Sequence, residues 1–223
     1  MLPVPPTRRR IRAIVERLER AFGPLEPPRR QDPLDELILT VLAQHTSDTN
    51  AKRAFADLRR ARPAWAQVVA TPDLELEAII RSGGLAPTKA PRIKAILAEI
   101  ERREGAFDLS GLASLDDQTA RAYLVSLPGV GPKTAAIILS FSLGRDALPV
   151  DTHVHRTTTR LGLIPSGTSA ERADRLLHEA VPDGLRTPMH TGLIRLGRLV
   201  CHARAPACVT CPLRRMCPRV GVP

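Results

Sequence analysis

The stretch Leu127-Pro128-Gly129-Val130-Gly131-Pro132-Lys133-Thr134-Ala135 decides how this chain is read. Gly129 and Gly131 bracket Val130 between two helical patterns, and glycine lets a turn take φ > 0 and lets another backbone come close. Pro132 then stands at the first position of the next helix, where its missing N–H costs nothing. The unpaired N–H groups and the positive dipole end of that helix suit a phosphate oxygen. A plain helix–turn–helix corner with a glycine cap has the same skeleton. Leu127 and Val130 as the packing residues of the turn, Lys133 beside it and a basic chain favour the phosphate-gripping use. Lys133 lies on the first turn, where the helix dipole opposes a cation and favours the neutral amine. A lysine has an ordinary pKa of about 10.4 and needs such lowering before it can act as a nucleophile; a simple phosphate contact is the other use of that residue.

On either side the pattern is helical. Ile11, Ile14, Val15, Leu18 and Phe22 recur at helix spacing and end at Gly23-Pro24. Leu34, Leu37, Ile38, Val41 and Leu42 form a second apolar face, with Asp32 as cap and Pro33 in the first turn. Ala51, Ala54, Phe55 and Leu58 form a third, and Thr71-Pro72 opens a short helix through Ile80, stopped by Gly83-Gly84. Further helices are predicted around 93–100, 115–125, 133–143, 153–161, 170–180 and 188–200. No run alternates in the manner of a strand, so about ten short helices joined by short connections describe an all-α protein. Pro24 to Pro28 and Ser166-Gly167 read as ordinary loop breaks.

The 223 residues suffice for one large domain or two small ones. A formal net charge of +10 and a pI of about 10.6 point to a polyanionic partner, most simply nucleic acid. Aromatic residues make up only 3%, which argues against a platform that stacks single-stranded bases. No apolar run approaches the ~18–20 residues of a membrane span. The basic residues of Met1 to Arg10 precede no apolar stretch, so no secretory signal is read and a cytoplasmic location is expected.

Asp151, in Val150-Asp151-Thr152-His153-Val154-His155, opens another helix. Alone it reads as an N-cap. Beside a lysine nucleophile, a carboxylate also stabilises positive charge on a breaking centre and takes a proton from the amine. The four cysteines, Cys201, Cys208, Cys211 and Cys217, are spaced C-x6-C-x2-C-x5-C. Four thiolates this close in a chain with no other cysteine indicate a metal site; chemistry alone leaves zinc and iron–sulfur equally open.

Taken together, the hairpin, the Val150 to His153 segment and the four-cysteine spacing resemble the helix-hairpin-helix DNA glycosylases, endonuclease III most closely, from about Asp32 to Pro218. The resemblance implies a two-lobed all-α fold. One lobe is a six-helix barrel with the hairpin, residues 24–145. The other joins residues 1–23 to 146–223 and carries a [4Fe–4S] loop at 201–217, with the active site in the cleft between. It implies that Lys133 attacks C1′ of a flipped nucleotide, that Asp151 assists, and that the strand is then cut by β-elimination. Duplex DNA with an oxidised pyrimidine or an abasic site is the implied partner, bound by a monomer at the nucleoid of a bacterium or archaeon. Gln44 and Leu85 match the family's gap-filling glutamine and leucine; read on their own, they are a polar helix end and a helix-terminal hydrophobic contact. Gly129, Val130 and Gly131 match the phosphate-binding hairpin, His153 an orienting position, and Arg204, in the loop between the first two cysteines, a phosphate contact. Related adenine glycosylases lack the lysine and carry a catalytic glutamate earlier in the chain. Lys133 is present here and Glu36 reads as a solvated helix residue, so the bifunctional activity is favoured. A monofunctional glycosylase for a mismatched or alkylated base and a non-catalytic, metal-stapled DNA-binding protein are the alternatives. The chain departs from the family pattern at Ser47-Asp48 and at Ala86-Pro87, positions that bear on the opposite base and the lesion range. His45, His155, His178 and His190 are read as ordinary residues.

Overall fold

The computed structural model describes residues 6–26 and 30–222. Among these residues there are eleven α-helices and no strand. Residues 27 and 28 of the Pro24 to Pro28 break, and residues 1–5 of the basic N-terminus, lie outside the described residues. No helix among them is long and apolar enough to cross a membrane. The chain divides into two compact units, one of Met1–Arg29 with Gly144–Pro223 and one of Arg30–Leu143.

The central unit contains α2 (Pro33–Ala43), α3 (Asp48–Ala61), α4 (Trp65–Ala70), α5 (Asp73–Ile80), α6 (Ala86–Glu104), α7 (Asp117–Val125) and α8 (Pro132–Ile137). The last runs on into a π-helical turn, Ile138–Ser142. Its organising element is α2, which starts as the sequence predicts: the Asp32 carboxylate accepts from the Leu34 and Asp35 amides, each at 3.0 Å, and Pro33 fills the first position. Leu34, Leu37, Ile38, Val41 and Leu42 are all at most 1% exposed, and α2 packs against α3, α6, α8 and the π turn. A helix buried on most of its circumference has little room for a solvated side.

This packing corrects the expectation for Glu36, which is buried rather than solvated. Its carboxylate accepts from the Thr40 hydroxyl at 3.3 Å. Burial pushes the Glu36 carboxyl up from its ordinary value, opposed by the Thr40 hydrogen bond and the charge of Lys52. A carboxyl whose folded pKa is raised stabilises the fold fully below its unfolded pKa, and that contribution is lost as pH rises through the folded value. The ionised group therefore costs stability at neutral pH. Glu36→Gln is expected to unfold at higher urea than the parent at neutral pH, and the gain should vanish on acidification below the ordinary glutamate pKa of about 4.3. A gain that persists or grows in acid would contradict this account.

Two elements differ from the sequence reading. Helix α4 is unanticipated: its six residues are too short to show a period, and it is held by burial of Trp65 and Val68 and by the Gln67 side chain accepting from the Ala64 amide at 3.1 Å. Helix α6 begins seven residues before the predicted Ile93 and passes through Pro91. A proline inside a helix removes one hydrogen bond; packing of Ala86, Lys89 and Ala90 offsets that loss in the first turns.

The other unit contains α1 (Arg8–Phe22), α9 (Thr152–Arg160), α10 (Ala170–Ala180) and α11 (Arg186–Leu199). Helix α11 packs on both α1 and α9. Its core includes Ile11, Ile14 and Leu18 of α1, Val154 of α9, and Met189, Leu193 and Leu196 of α11. Leu213 of the cysteine loop is buried in the same core, and Cys201, Cys211 and Cys217 pack against it. The Arg10 guanidinium donates to the Leu161 carbonyl and to the Met216 carbonyl at 3.4 Å, so α1 is tied both to the end of α9 and to the loop.

Candidate catalytic and nucleic-acid site

In the central unit, Leu127 to Val130 form a turn closed by the Val130 amide on the Leu127 carbonyl at 3.1 Å. Pro128 takes the second position and Gly129, at φ +70°, the third, the residue preferences of a type II turn. Leu127 and Val130 are buried and fix the turn to the unit. The left-handed backbone requires the glycine, and a Cβ built there would lie 2.7 Å from both Cδ and Nε of Arg92, so an added methyl would displace the end of that side chain. Gly131 differs from the sequence expectation: its backbone is extended at φ −94°, and nothing lies within 4 Å of a Cβ placed there. Its missing side chain leaves open space in front of the start of α8, which no side chain caps. Lys133, on that first turn, is exposed. Gly129→Ala should destabilise the protein by roughly 1–2 kcal/mol from the left-handed backbone alone, with a further loss from unseating Arg92. Denaturant unfolding reads this directly, and an unchanged midpoint would contradict it.

Gln44 ends α2, and its Oε1 accepts from Arg92 Nη1 at 2.9 Å. Arg92 therefore touches both Gln44 and the hairpin, two segments that the sequence reading treated separately. Leu85 precedes α6 in a left-handed conformation, φ 49° and ψ 35°, with its side chain 54% exposed. It does not make the buried helix-terminal contact that was its alternative role. His45, directly after Gln44, is also left-handed at φ 55°. Non-glycine residues in this region cost about 1–3 kcal/mol each and concentrate at functional sites. Both segments thus hold strain beside the side chain in question.

In the other unit, Asp151 is the N-cap of α9, with Oδ1 accepting from the Val154 amide at 2.7 Å. The segment before it is held by His190, 3% exposed, whose Nδ1–H donates to the Pro149 carbonyl at 2.8 Å. His190 is thus a structural support rather than an ordinary residue. His153 Nδ1 lies 3.0 Å from Arg156 Nη2. Arginine offers only donors, so Nδ1 accepts and the neutral ring carries its proton on Nε2. Arg156 also donates to the Gly197 carbonyl at 2.9 Å and the Cys201 carbonyl at 3.0 Å, linking α9 to the cysteine loop. A Cβ on Gly197 would meet His153 at 2.9 Å, so α9 and α11 approach closely there only because that side chain is missing.

Cys201, Cys208, Cys211 and Cys217 are free thiols lining one recess with Arg160, Arg214 and Arg219. Arg160 Nη1 donates to Cys201 Sγ at 3.3 Å, and its other contacts hold the His202 and Ala203 carbonyls. Burial pushes the Cys211 and Cys217 thiols up, and the neighbouring thiolates push the same way. A cationic centre in the recess would invert that balance and favour the thiolate form of its ligands. Among the described residues no three His, Cys, Asp or Glu side chains are arranged to hold a single metal ion. Arg204 is exposed on the same loop.

Described residues that are helical without strands, a glycine hairpin opening a lysine-bearing helix, and four cysteines around one recess define a helix-hairpin-helix protein with a four-cysteine loop. Residues 38–183 match the family described as HhH-GPD superfamily base excision DNA repair protein. Endonuclease III of Thermotoga maritima is 32% identical over 186 residues, 83% of each chain. A plant protein of Arabidopsis thaliana, named as a candidate DNA glycosylase, is 34% identical over 175 residues; the match covers 78% of this chain and 60% of that protein's length. The structure of a trapped endonuclease III–DNA covalent intermediate superposes with a TM-score of 0.82 at 29% identity, covering 96% of both chains. The chain belongs to the HhH-GPD superfamily of base-excision DNA repair proteins.

Proposed function

We propose that this protein is a bifunctional DNA glycosylase and abasic-site lyase that removes oxidised pyrimidines from duplex DNA and then cuts the strand. The observation that carries this reading is an exposed Lys133 on the first turn of α8, directly behind the hairpin, in a chain of the base-excision family. The relatives called endonuclease III, and the structure in which such a protein is covalently trapped on DNA, support the lyase step.

In this mechanism the hairpin grips a backbone phosphate without reading sequence, helped by the open space at Gly131. The damaged nucleotide leaves the stack, since its glycosidic bond is unreachable inside the duplex. Gln44 and Leu85 fill the gap. The Lys133 amine attacks C1′; the C1′–N bond breaks and its electron pair leaves with the base. Positive charge developing on the sugar is stabilised by the Asp151 carboxylate, which also takes a proton from the attacking nitrogen. The nitrogen lone pair then opens the sugar ring, the C1′–O4′ bond breaking and O4′ taking a proton, to give an imine; this acidifies the C2′ proton, whose loss expels the 3′-phosphate and nicks the strand. His153 steadies the Asp151 helix through Arg156. Arg204 meets a flanking phosphate.

Cys201, Cys208, Cys211 and Cys217 would hold a [4Fe–4S] cluster, whose role here is to staple the DNA-facing loop. Four thiols lining one recess fit a cluster of four irons, where each iron would take one thiolate. The protein would act as a monomer at the nucleoid. Borohydride tests the function: reduction of the imine on an abasic duplex gives a stable protein–DNA cross-link. Base release without any cross-link would favour a monofunctional glycosylase, and binding without turnover by a colourless protein would favour a zinc-stapled binding module.

A further inference from the structure

Among the cations of helix α6, Lys89 and Arg92 face the segments that the mechanism uses, although the mechanism gives them no role. Lys89 is 2% exposed, with no carboxylate among its hydrogen-bond partners. Its ammonium donates to the Leu42 carbonyl at 2.7 Å and to the Gly83 carbonyl at 2.8 Å. Leu42 belongs to the last turn of α2, whose carbonyls lack helical partners and form the negative dipole end, so a buried cation is tolerated there. The Lys89 backbone N–H also donates to the Leu85 carbonyl at 3.0 Å. One residue therefore holds the end of the helix that bears Gln44 and both sides of the strained turn that bears Leu85. One turn on, Arg92 holds the Gln44 amide oxygen at 2.9 Å and lies against the backbone of Gly129, where even a methyl group would collide.

We infer that Lys89 and Arg92 are positioning residues for nucleotide extrusion: from one face of α6 they set Gln44, Leu85 and the phosphate-gripping hairpin in a single register. This rests on the gap-filling roles given to Gln44 and Leu85 above. Two wedges and a phosphate grip work together only if they reach the duplex in fixed relation, and a displacement of about 1 Å can cost on the order of 100-fold in rate. The inference separates extrusion from chemistry: the pair should matter more where a stacked, paired base must be driven out than where no base remains.

The test compares Arg92→Met, which keeps length but loses the donor, with Arg92→Lys, which keeps charge and one donor. Each is assayed on a duplex with one oxidised pyrimidine and on the same duplex with an abasic site. For Arg92→Met, kcat for base release should fall at least about tenfold with KM within about threefold, and at least about threefold further than kcat for abasic-site cleavage, which needs the hairpin but not the expulsion of a base. Arg92→Lys should recover most of the lost rate. A 2-aminopurine opposite the lesion should brighten more slowly with Arg92→Met. Equal losses on both substrates, or a raised KM on both with a flatter salt dependence, would mark Arg92 as a structural or phosphate contact and overturn the inference. Lys89→Met should show the same selective loss; its unfolding transition is measured alongside, and the Arg92 pair decides if it fails to fold. If the parent acts on neither substrate, the proposed function is wrong and the inference falls with it.

Discussion

Lys133→Gln is expected to lose the borohydride cross-link entirely and to slow nicking of abasic duplex by about 10⁴-fold or more, the scale on which removal of a covalent nucleophile acts. Glutamine keeps the length and polarity of the side chain but has no basic nitrogen to form the imine. Because Lys133 is exposed and the first turn of α8 is built by Pro132 and by the Ala135 amide on the Gly131 carbonyl at 3.0 Å, the substitution should leave the fold intact. Binding to undamaged duplex should change little, since one cation among 33 lysines and arginines contributes one unit of salt dependence at most. Wild-type-like nicking by this variant would remove the central claim of the mechanism. Loss of nicking together with a lowered unfolding midpoint would instead point to a damaged hairpin.

Asp151→Asn is expected to lower base release by about 10²–10⁴-fold while leaving stability nearly unchanged. The two effects separate for a chemical reason. The cap of α9 needs only an oxygen that accepts from the Val154 amide, and asparagine is as good an N-cap as aspartate. Stabilising a cationic sugar and taking a proton from an amine need the negative charge, which asparagine lacks. Asp151→Ala should lose both, with about 1 kcal/mol of cap stability gone as well. If Asp151→Asn were as active as the parent, the carboxylate would be a cap and nothing more.

Much of the site could be read locally. The turn at Gly129, the cap at Asp32, the cap at Asp151 and the clustered cysteines depend on residues within a few positions of one another, and local geometry dictates them. The strain at Leu85 and His45 could not be read, because neither residue favours a left-handed backbone; the packing around them imposes it. The roles of His190 and Arg156 were hidden as well, since their partners Pro149, Gly197 and Cys201 lie 41, 41 and 45 residues away. Helix α4 escaped because six residues carry too little periodicity to announce a helix.

The sequence by itself determined that this chain is helical, that it holds a lysine on the first turn of a helix opened by a glycine hairpin, and that all four cysteines fall in one short segment. Helix periods, caps and short spacings act over one or two turns, so they can be read one segment at a time. Only the tertiary structure decided that Glu36 is buried, that Lys89 spans 47 residues to the end of α2, and that Arg92 spans 48 to Gln44 while seating the hairpin. Those facts depend on which distant surfaces come together to exclude water, and burial sets both the cost of a lone charge and the value of its hydrogen bonds.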